Sequence, residues 1–574
     1  MAHLHKKMKK GRPYYYIREI ARVGGKPTVV SQIYLGSLER MAELARGERT
    51  ARCTRIITRE FGALWLSNLI DQSVGLVPLV DSVVAKKEHG KGPSIGEYFL
   101  YAVFNRMIDS CSKRALPDWY NHTAIQHIRP VDIQALDSQH YWEKWDQVEQ
   151  KDIETITSRF FQRICELENP NSDCFLFDTT NYYTYMASDT ESELAQRGRN
   201  KQGKHWLRQV GVALLVSRGS QIPLFYKEFE GNRHDSKFFN RILGQVLNAM
   251  QSSTQSEGEL TLVFDKGMNS PENIASIDAA PRVHFITTYA PSFAEDLIRT
   301  KLSQFKTVDT IKNRELISKG REDDQLVAWR TAGTFWGKER TVIVTYNPRT
   351  AAKQRYSFDK KLLSLQQVLI ELRDKVKSQK PHWSDEKVIA SHYHSACEEL
   401  YLPKDLYELS VEKHNKKWRL LFRKNYYRIG RHIELFGRNI IVTDHLSWST
   451  DEIVQASLDR YMVEKAFRQS KDDDLVSVMP IRHWTDGKIR CHILTCVIAL
   501  VCLRLIEIRL QRSSIPMTAS TAMQKLHRLH SCLCWLASTG KPERIIEEPT
   551  ETQARIIRAF GFEIASGVLQ PLAL

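Results

Sequence analysis

Three acids occupy positions from which they could do chemistry. Asp178 closes the apolar run Phe175-Leu176-Phe177, and Asp265 closes Leu262-Val263-Phe264. Each run reads as a strand ending in a carboxylate. In a sheet with helices on its faces, that edge is where ligands gather. Two carboxylates there, on neighbouring strands, offer the hard oxygens that Mg2+ takes alongside water and phosphate oxygens. Either aspartate alone reads as the start of a turn. A third acid shifts the balance. Arg460, Glu464, Arg468 and Lys471 are spaced 4, 4 and 3 and share one helix face, with Val463 and Phe467 as an adjacent stripe to dock it. A lone Arg-x3-Glu is ordinarily an exposed ion pair. A carboxylate among three cations can also complete a metal site while the cations hold phosphates.

The elements needed to position these residues can be read around them. From residue 173 the texture is βββαβαβ: "CFLFD", two strands within 206–231 joined at Gly219-Ser220, a helix from about 234, "ELTLVFD", a helix with Pro271 in its first turn, and "VHFITTY". That order predicts a mixed sheet with helices on its faces. Before it, 37–160 is mostly helical by periodicity, with Ser94 and Glu97 fitting a capping box. The N-terminus is a Lys-rich tail followed by two strands around Gly24-Gly25-Lys26-Pro27, forming a basic, aromatic ribbon suited equally to lying on DNA and to packing on its own domain. Residues 291–440 interrupt the pattern with charged helical stretches around 292–328, strand-like "TVIVTYN", a long Lys-rich helix near 359–380 and strand-like "KWRLLFRKNYYRI" and "RNIIVTDHL", and most of this reads as an insertion. "STDEIVQASLDRYMVEKAFRQSK" then reads as one helix capped by Ser449 or Thr450, and the tail from 491 as helical.

Bulk properties set the frame. The chain has 574 residues, enough for two to four domains. An excess of 83 Lys and Arg over 67 Asp and Glu gives +16, which favours a polyanionic partner through counterion release. Ten cysteines without a CxxC pair, and a basic start lacking an apolar signal-peptide core, predict reduced thiols in a cytosol. The apolar run Ile493–Ile506, broken by Arg504, reads as a buried helix rather than a membrane span.

With "FDTTNYY", "VFDKGMNS" and "RYMVEKAFRQSK" in place, and "EGNRHDSKFF" and "PIRHWTDGKIRCHI" as further blocks, the chain resembles the DDE transposases of bacterial insertion sequences. Within them it resembles the insertion-sequence-four type, whose Tyr-Arg-Glu-Lys signature Arg460, Glu464 and Lys471 match, and its sixteen-thirty-four branch. The resemblance spans nearly the whole chain. It implies an α/β fold: a ribonuclease-H-like mixed sheet core interrupted by a mainly β insertion domain, with a helical N-terminal DNA-binding region and a helical C-terminal tail. The expected divisions are 1–165 (hairpin plus helical DNA-binding region), 166–290 (core, first part), 291–440 (insertion), 441–510 (core, second part) and 511–574 (C-terminal helical region). The intervals agree, 265 − 178 = 87 and 464 − 265 = 199, the second being too long for an uninterrupted core of this kind.

The implied chemistry is cut-and-paste transposition. Asp178, Asp265 and Glu464 would hold two Mg2+ ions, with Mn2+ as a substitute. Arg460 and Lys471 would bind phosphates beside the scissile bond. The implied partners are terminal inverted repeats and target DNA, handled by a homodimer in a synaptic complex, with no membrane; the implied location is the bacterial cytoplasm, on the nucleoid when DNA is bound. Two alternatives are a metal-dependent nuclease without strand transfer and a non-catalytic DNA-binding derivative. The signature tyrosine, three residues before Arg460, is Ser457 here, so the resemblance does not carry a hairpin intermediate across.

Further candidates are weaker. Arg197, Arg199, Lys201 and Lys204 in "RGRNKQGKH" suit a DNA backbone as well as a solvated loop. Arg468 belongs with the helix cations, and Thr179, Thr180 and Asn232 are candidate supports to the acids. "SHYHSAC" and "HRLHSCLC" lack the paired layout of a zinc site.

Overall fold

The computed structural model of the chain describes residues 2–9, 12–23, 26–38, 41, 53–84, 92–170, 172–187, 189–198, 203–204, 206–254, 258–291, 294–536 and 542–572. It opens with three antiparallel strands, β1 (Ala2–Lys9), β2 (Arg12–Val23) and β3 (Lys26–Gly36). The Lys-rich start expected as a tail is therefore a strand. After β4 (Cys53–Glu60) come the principal helices of this region, α1 (Gly62–Val74), α2 (Ile95–Ile108) and α3 (Gln150–Glu168). Ser94 and Glu97 form the expected capping box on α2. Glu60 caps α1 by accepting from Ala63 N–H and Leu64 N–H at 3.0 and 3.4 Å, and burial lifts its carboxyl to about 8.

The main sheet is built next: β5 (Cys174–Thr184), β6 (Gln196–Arg197), β7 (Arg208–Ser217), β8 (Pro223–Glu230), helix α4 (Asp235–Ser252), β9 (Leu260–Phe264), helix α5 (Pro271–Asp278) and β10 (Val283–Tyr289). These form the order β8-β7-β5-β9-β10, with β5, β9 and β10 parallel and β7 antiparallel to both neighbours. Strands this apolar are explained by cover on both faces.

The expected mainly β insertion over 291–440 is corrected in two ways. First, β11 (Lys306–Thr307), β12 (Val327–Phe335) and β13 (Lys338–Tyr346) extend the main sheet, through β16 (Arg438–Thr443), beyond β10. Second, the excursion between β13 and β16 is helix-rich. It holds α6 (Pro348–Lys377, 30 residues), α7 (Glu386–Leu400, 15 residues), the hairpin β14 (Tyr407–His414) and β15 (Lys417–Lys424), and a short helix Tyr426–Ile433. It has its own core, including Leu365, Leu369, Leu372, Tyr393, Leu406 and Leu420. Leucines at helical spacing on α6 decide this; the hairpin only covers them. The excursion leaves and re-enters at one point, where Asn347 N–H donates to Gly437 O at 2.8 Å and Tyr346 stands opposite Arg438.

After β16, the expected single helix is two, α8 (Thr450–Asp459) and α9 (Tyr461–Ser470), meeting at Arg460, with Ser449 as N-cap. Helix α10 (Asp486–Arg512) is long and apolar enough to cross a membrane, but 94% of its most apolar stretch is buried within the fold. The expected helical C-terminal tail is also corrected. Helices α11 (Ala519–Leu526) and α12 (Glu551–Ala559) alternate with strands β17 (His530–Leu536), β18 (Pro542–Ile546), β19 (Phe562–Ala565) and β20 (Val568–Pro571). Strand β17 lies between β18 and β4, so the two ends of the chain share a sheet. "HSCLCWL" is short, β-branched-poor and apolar, and pairing on both of its edges makes it a strand.

Candidate active site

The β5–β9 ladder pairs Cys174 with Thr261, Phe175 with Leu262 and Leu176 with Val263. The offset, 261 − 174 = 87, is that of the two aspartates, 265 − 178 = 87. Both aspartates lie two residues past the last paired rung, so the shared offset puts them at the same end of neighbouring strands. The residue before each aspartate fixes its direction. Phe177 and Phe264 pack on Phe239 of α4 with ring centroids 4.9 and 5.3 Å away. Alternation then turns both carboxylates to the opposite face, the face on which α9 lies.

Helix α9 runs along β5, docked by buried Val463 and Phe467. At its start Arg460 Nη1 lies 2.7 Å from Asp265 Oδ1, and Nη2 lies 3.7 Å from Glu464 Oε1. Farther along, Lys471 Nζ donates to Thr180 Oγ1 at 2.6 Å, and the Tyr182 and Ser470 hydroxyls meet at 2.5 Å. Asp178, Thr180 and Tyr182 alternate along β5 and so share the helix-facing side. Arg468 is exposed on α9.

The two aspartates differ in electrostatics. Burial lifts Asp178 to about 6; the Thr179 N–H (2.8 Å) and Arg460 oppose that, while the charges of Asp265 and Glu464 add to it. Burial pushes Asp265 upward too, but Arg460, the Thr288 hydroxyl (2.9 Å) and the Lys266 N–H (2.8 Å) outweigh it and hold this carboxyl below the usual range. Burial likewise pushes Arg460 down, and the three acids more than restore it. One guanidinium thus compensates a cluster of three carboxylates.

A family model for the transposase DDE domain matches residues 174–502, from the first residue of β5 into α10, and takes in Asp178, Asp265 and Glu464. The chain belongs to the transposase DDE domain family. Among solved structures it is similar to a piggyBac transposase synaptic complex with hairpin DNA, at a TM-score of 0.39 and 7% identity over 81% of this chain and 79% of that one, a likeness too slight to bear on function. No curated protein matches.

In a transposase DDE domain a divalent ion is the implied cofactor, and the donor set fits a hard cation: three carboxylates, one on β5, one directly after β9 and one on α9. Their oxygens do not all close to within 4.8 Å of one another. The Arg460 guanidinium stands between Asp265 and Glu464, whose side chain is 49% exposed and has room to move.

The remaining sequence candidates divide. Thr179 donates its backbone N–H to Asp178 Oδ1 at 2.8 Å. Lys204 lies over the Tyr183 ring at 5.5 Å, farther along β5 than Asp178 and on the other face; Arg197 is exposed on β6 beside that same end. Arg199 and Lys201 lie outside the described residues. Asn232 is exposed on the β8–α4 loop, its Cα beside Gly198 rather than at the acids. Sequence reasoning missed Thr288, and named Thr180 only as a small polar support beside the acids, without its bond to Lys471. Thr288 was findable: "VHFITTY" carries two threonines before its last residue, and the β9–β10 ladder, which ends at the Phe264–Thr287 pair, leads directly to Thr288 beside Asp265.

Sequence reasoning also missed Glu259, His284 and His445 at the opposite end of β9 and β10, with ligand atoms within 4.8 Å of one another. His284 lies between Asp444 (2.9 Å) and Glu259 (3.4 Å), and His445 Nε2 meets the Thr261 hydroxyl at 2.8 Å. The two imidazoles stack, centroids 4.4 Å apart. The group ties together the ends of three strands.

Proposed function

We propose that this chain is the transposase of a bacterial insertion sequence, of the insertion-sequence-four type and its sixteen-thirty-four branch, built on a ribonuclease-H-like core. The observation that carries the reading is the pair of aspartates at the same end of neighbouring strands, beside the Arg460–Glu464 helix, within a transposase DDE domain. The β8-β7-β5-β9-β10 order, with its second strand reversed, supports the core assignment.

On this reading Asp178, Asp265 and Glu464 hold two Mg2+ ions, which supply activation of water, then of a 3′-hydroxyl, and stabilisation of the leaving oxygen. Arg460 exchanges its carboxylate partners for a phosphate beside the scissile bond. Lys471, oriented by Thr180, takes a neighbouring phosphate. Helix α9 keeps both cations in line with β5. The enzyme binds terminal inverted repeats, acts as a homodimer across two ends, and works in the bacterial cytoplasm.

The test is incubation with pre-nicked end DNA, a target plasmid and Mg2+. Joined products are expected. Nicking without joining would support the nuclease alternative, and neither activity the non-catalytic one.

A further inference from the structure

The N-terminal sheet has two unlike faces. Strands β1 and β2 pair His3 with Arg18, His5 with Tyr16 and Lys7 with Tyr14. Strands β2 and β3 pair Tyr16 with Tyr34 and Arg18 with Gln32. Cross-strand partners share a face, so four basic side chains and three tyrosines lie together, with Arg22 on the same side by alternation. The rings are in contact: Tyr34 lies 5.1 Å from Tyr16 and 6.1 Å from Tyr14. Arg18 Nε donates to Gln32 Oε1 at 2.7 Å, which aims the guanidinium. The opposite face carries Leu4 against Ile17, and also Glu19, the only acid in residues 1–36.

The basic face therefore has no acid of its own sheet to balance it. His5 reflects this: desolvation, then the charges of Arg18, His3 and Lys7, all hold its pKa down. Like charges arrayed on one face with phenol hydroxyls between them match a regular polyanion, since phosphate oxygens accept from Lys, Arg and Tyr alike.

We propose that this face of β1–β3 docks on the sugar–phosphate backbone of duplex DNA, giving the transposase read above an arm separate from its acids; the proposal rests on that reading for its partner. The test uses the full chain and a short fluorescein-labelled duplex, followed by anisotropy across a KCl series. Lys7→Gln/Arg18→Gln/Arg22→Gln should weaken low-salt binding about tenfold or more and flatten the salt slope by about one per cation removed. Arg18→Lys/Arg22→Lys should keep the wild-type slope, as should Lys6→Gln on the other face. If the triple variant melts early, Lys7→Gln and Arg22→Gln, both at exposed positions, should each still flatten the slope by about one. Variants with native melting and wild-type affinity and slope would overturn the proposal. Asp178→Asn serves as the separate control: it should bind with the wild-type slope and not cleave. If it cleaves, the transposase reading fails while the result on the sheet stands.

Discussion

At the scale of single residues, the site is three acids and the cation that compensates them. Asp178→Asn, Asp265→Asn and Glu464→Gln should each lower DNA cleavage by about a thousandfold or more while far-UV circular dichroism stays native, as expected when one donor of a charge-stabilising site is lost. Retained cleavage in all three would show the assignment to be wrong. Asp178 also makes a pH prediction. Its carboxyl is raised from an ordinary 3.8 to about 6, so the fold favours the protonated form. That stabilisation is complete below the ordinary value and is lost as pH climbs through about 6. Without divalent ions, Asp178→Asn should therefore melt like the wild type near pH 4 and higher than it at pH 8, by up to about 3 kcal/mol. Arg460→Gln should do the reverse at pH 8, melting lower, and added Mg2+ should restore more stability to the variant than to the wild type. Asp178 and Asp265 were legible because each follows three apolar residues, the mark of a strand end. Thr180 was legible as a polar neighbour of the acids, but its hold on Lys471 was not, because a hydroxyl within a strand does not name its partner.

At the scale of elements, a short contact sets the sheet's far edge. A Cβ on Gly231 would fall 1.9 Å from Gln209 O. Gly231→Ala should therefore force β8 away from β7 and lower stability by about 1–3 kcal/mol, measurable by urea unfolding. The βββαβαβ order was legible from alternating apolar runs and turn residues. The break between α8 and α9 was not, since nothing in "SLDRYMVE" is a helix breaker; tertiary contacts of Arg460 with Asp265 decide it. The long helix of the excursion was legible near 359–380; the mainly β expectation came from the family resemblance and not from these residues.

At the scale of the whole molecule, chain order and spatial order part company. The excursion has its own core and a single neck at Asn347 and Gly437. Replacing 348–436 with a two-residue Asn-Gly turn should leave β13 and β16 paired as a hairpin and keep Mn2+ binding at the acids, followed by electron paramagnetic resonance. Loss of a folded protein would show that the neck is not self-sufficient. The pairing of β17 with β4 could not be read at all, because its two strands lie near opposite ends of the chain.

That neck makes the protein a socket. One residue added between Cys174 and Asp178 would turn the first carboxylate to the wrong side of the sheet. A whole foreign domain with neighbouring termini, seated between Asn347 and Gly437, would leave the acids undisturbed. The length of chain between the second and third acids is thus free to carry cargo, such as a fluorescent reporter or a second DNA reader.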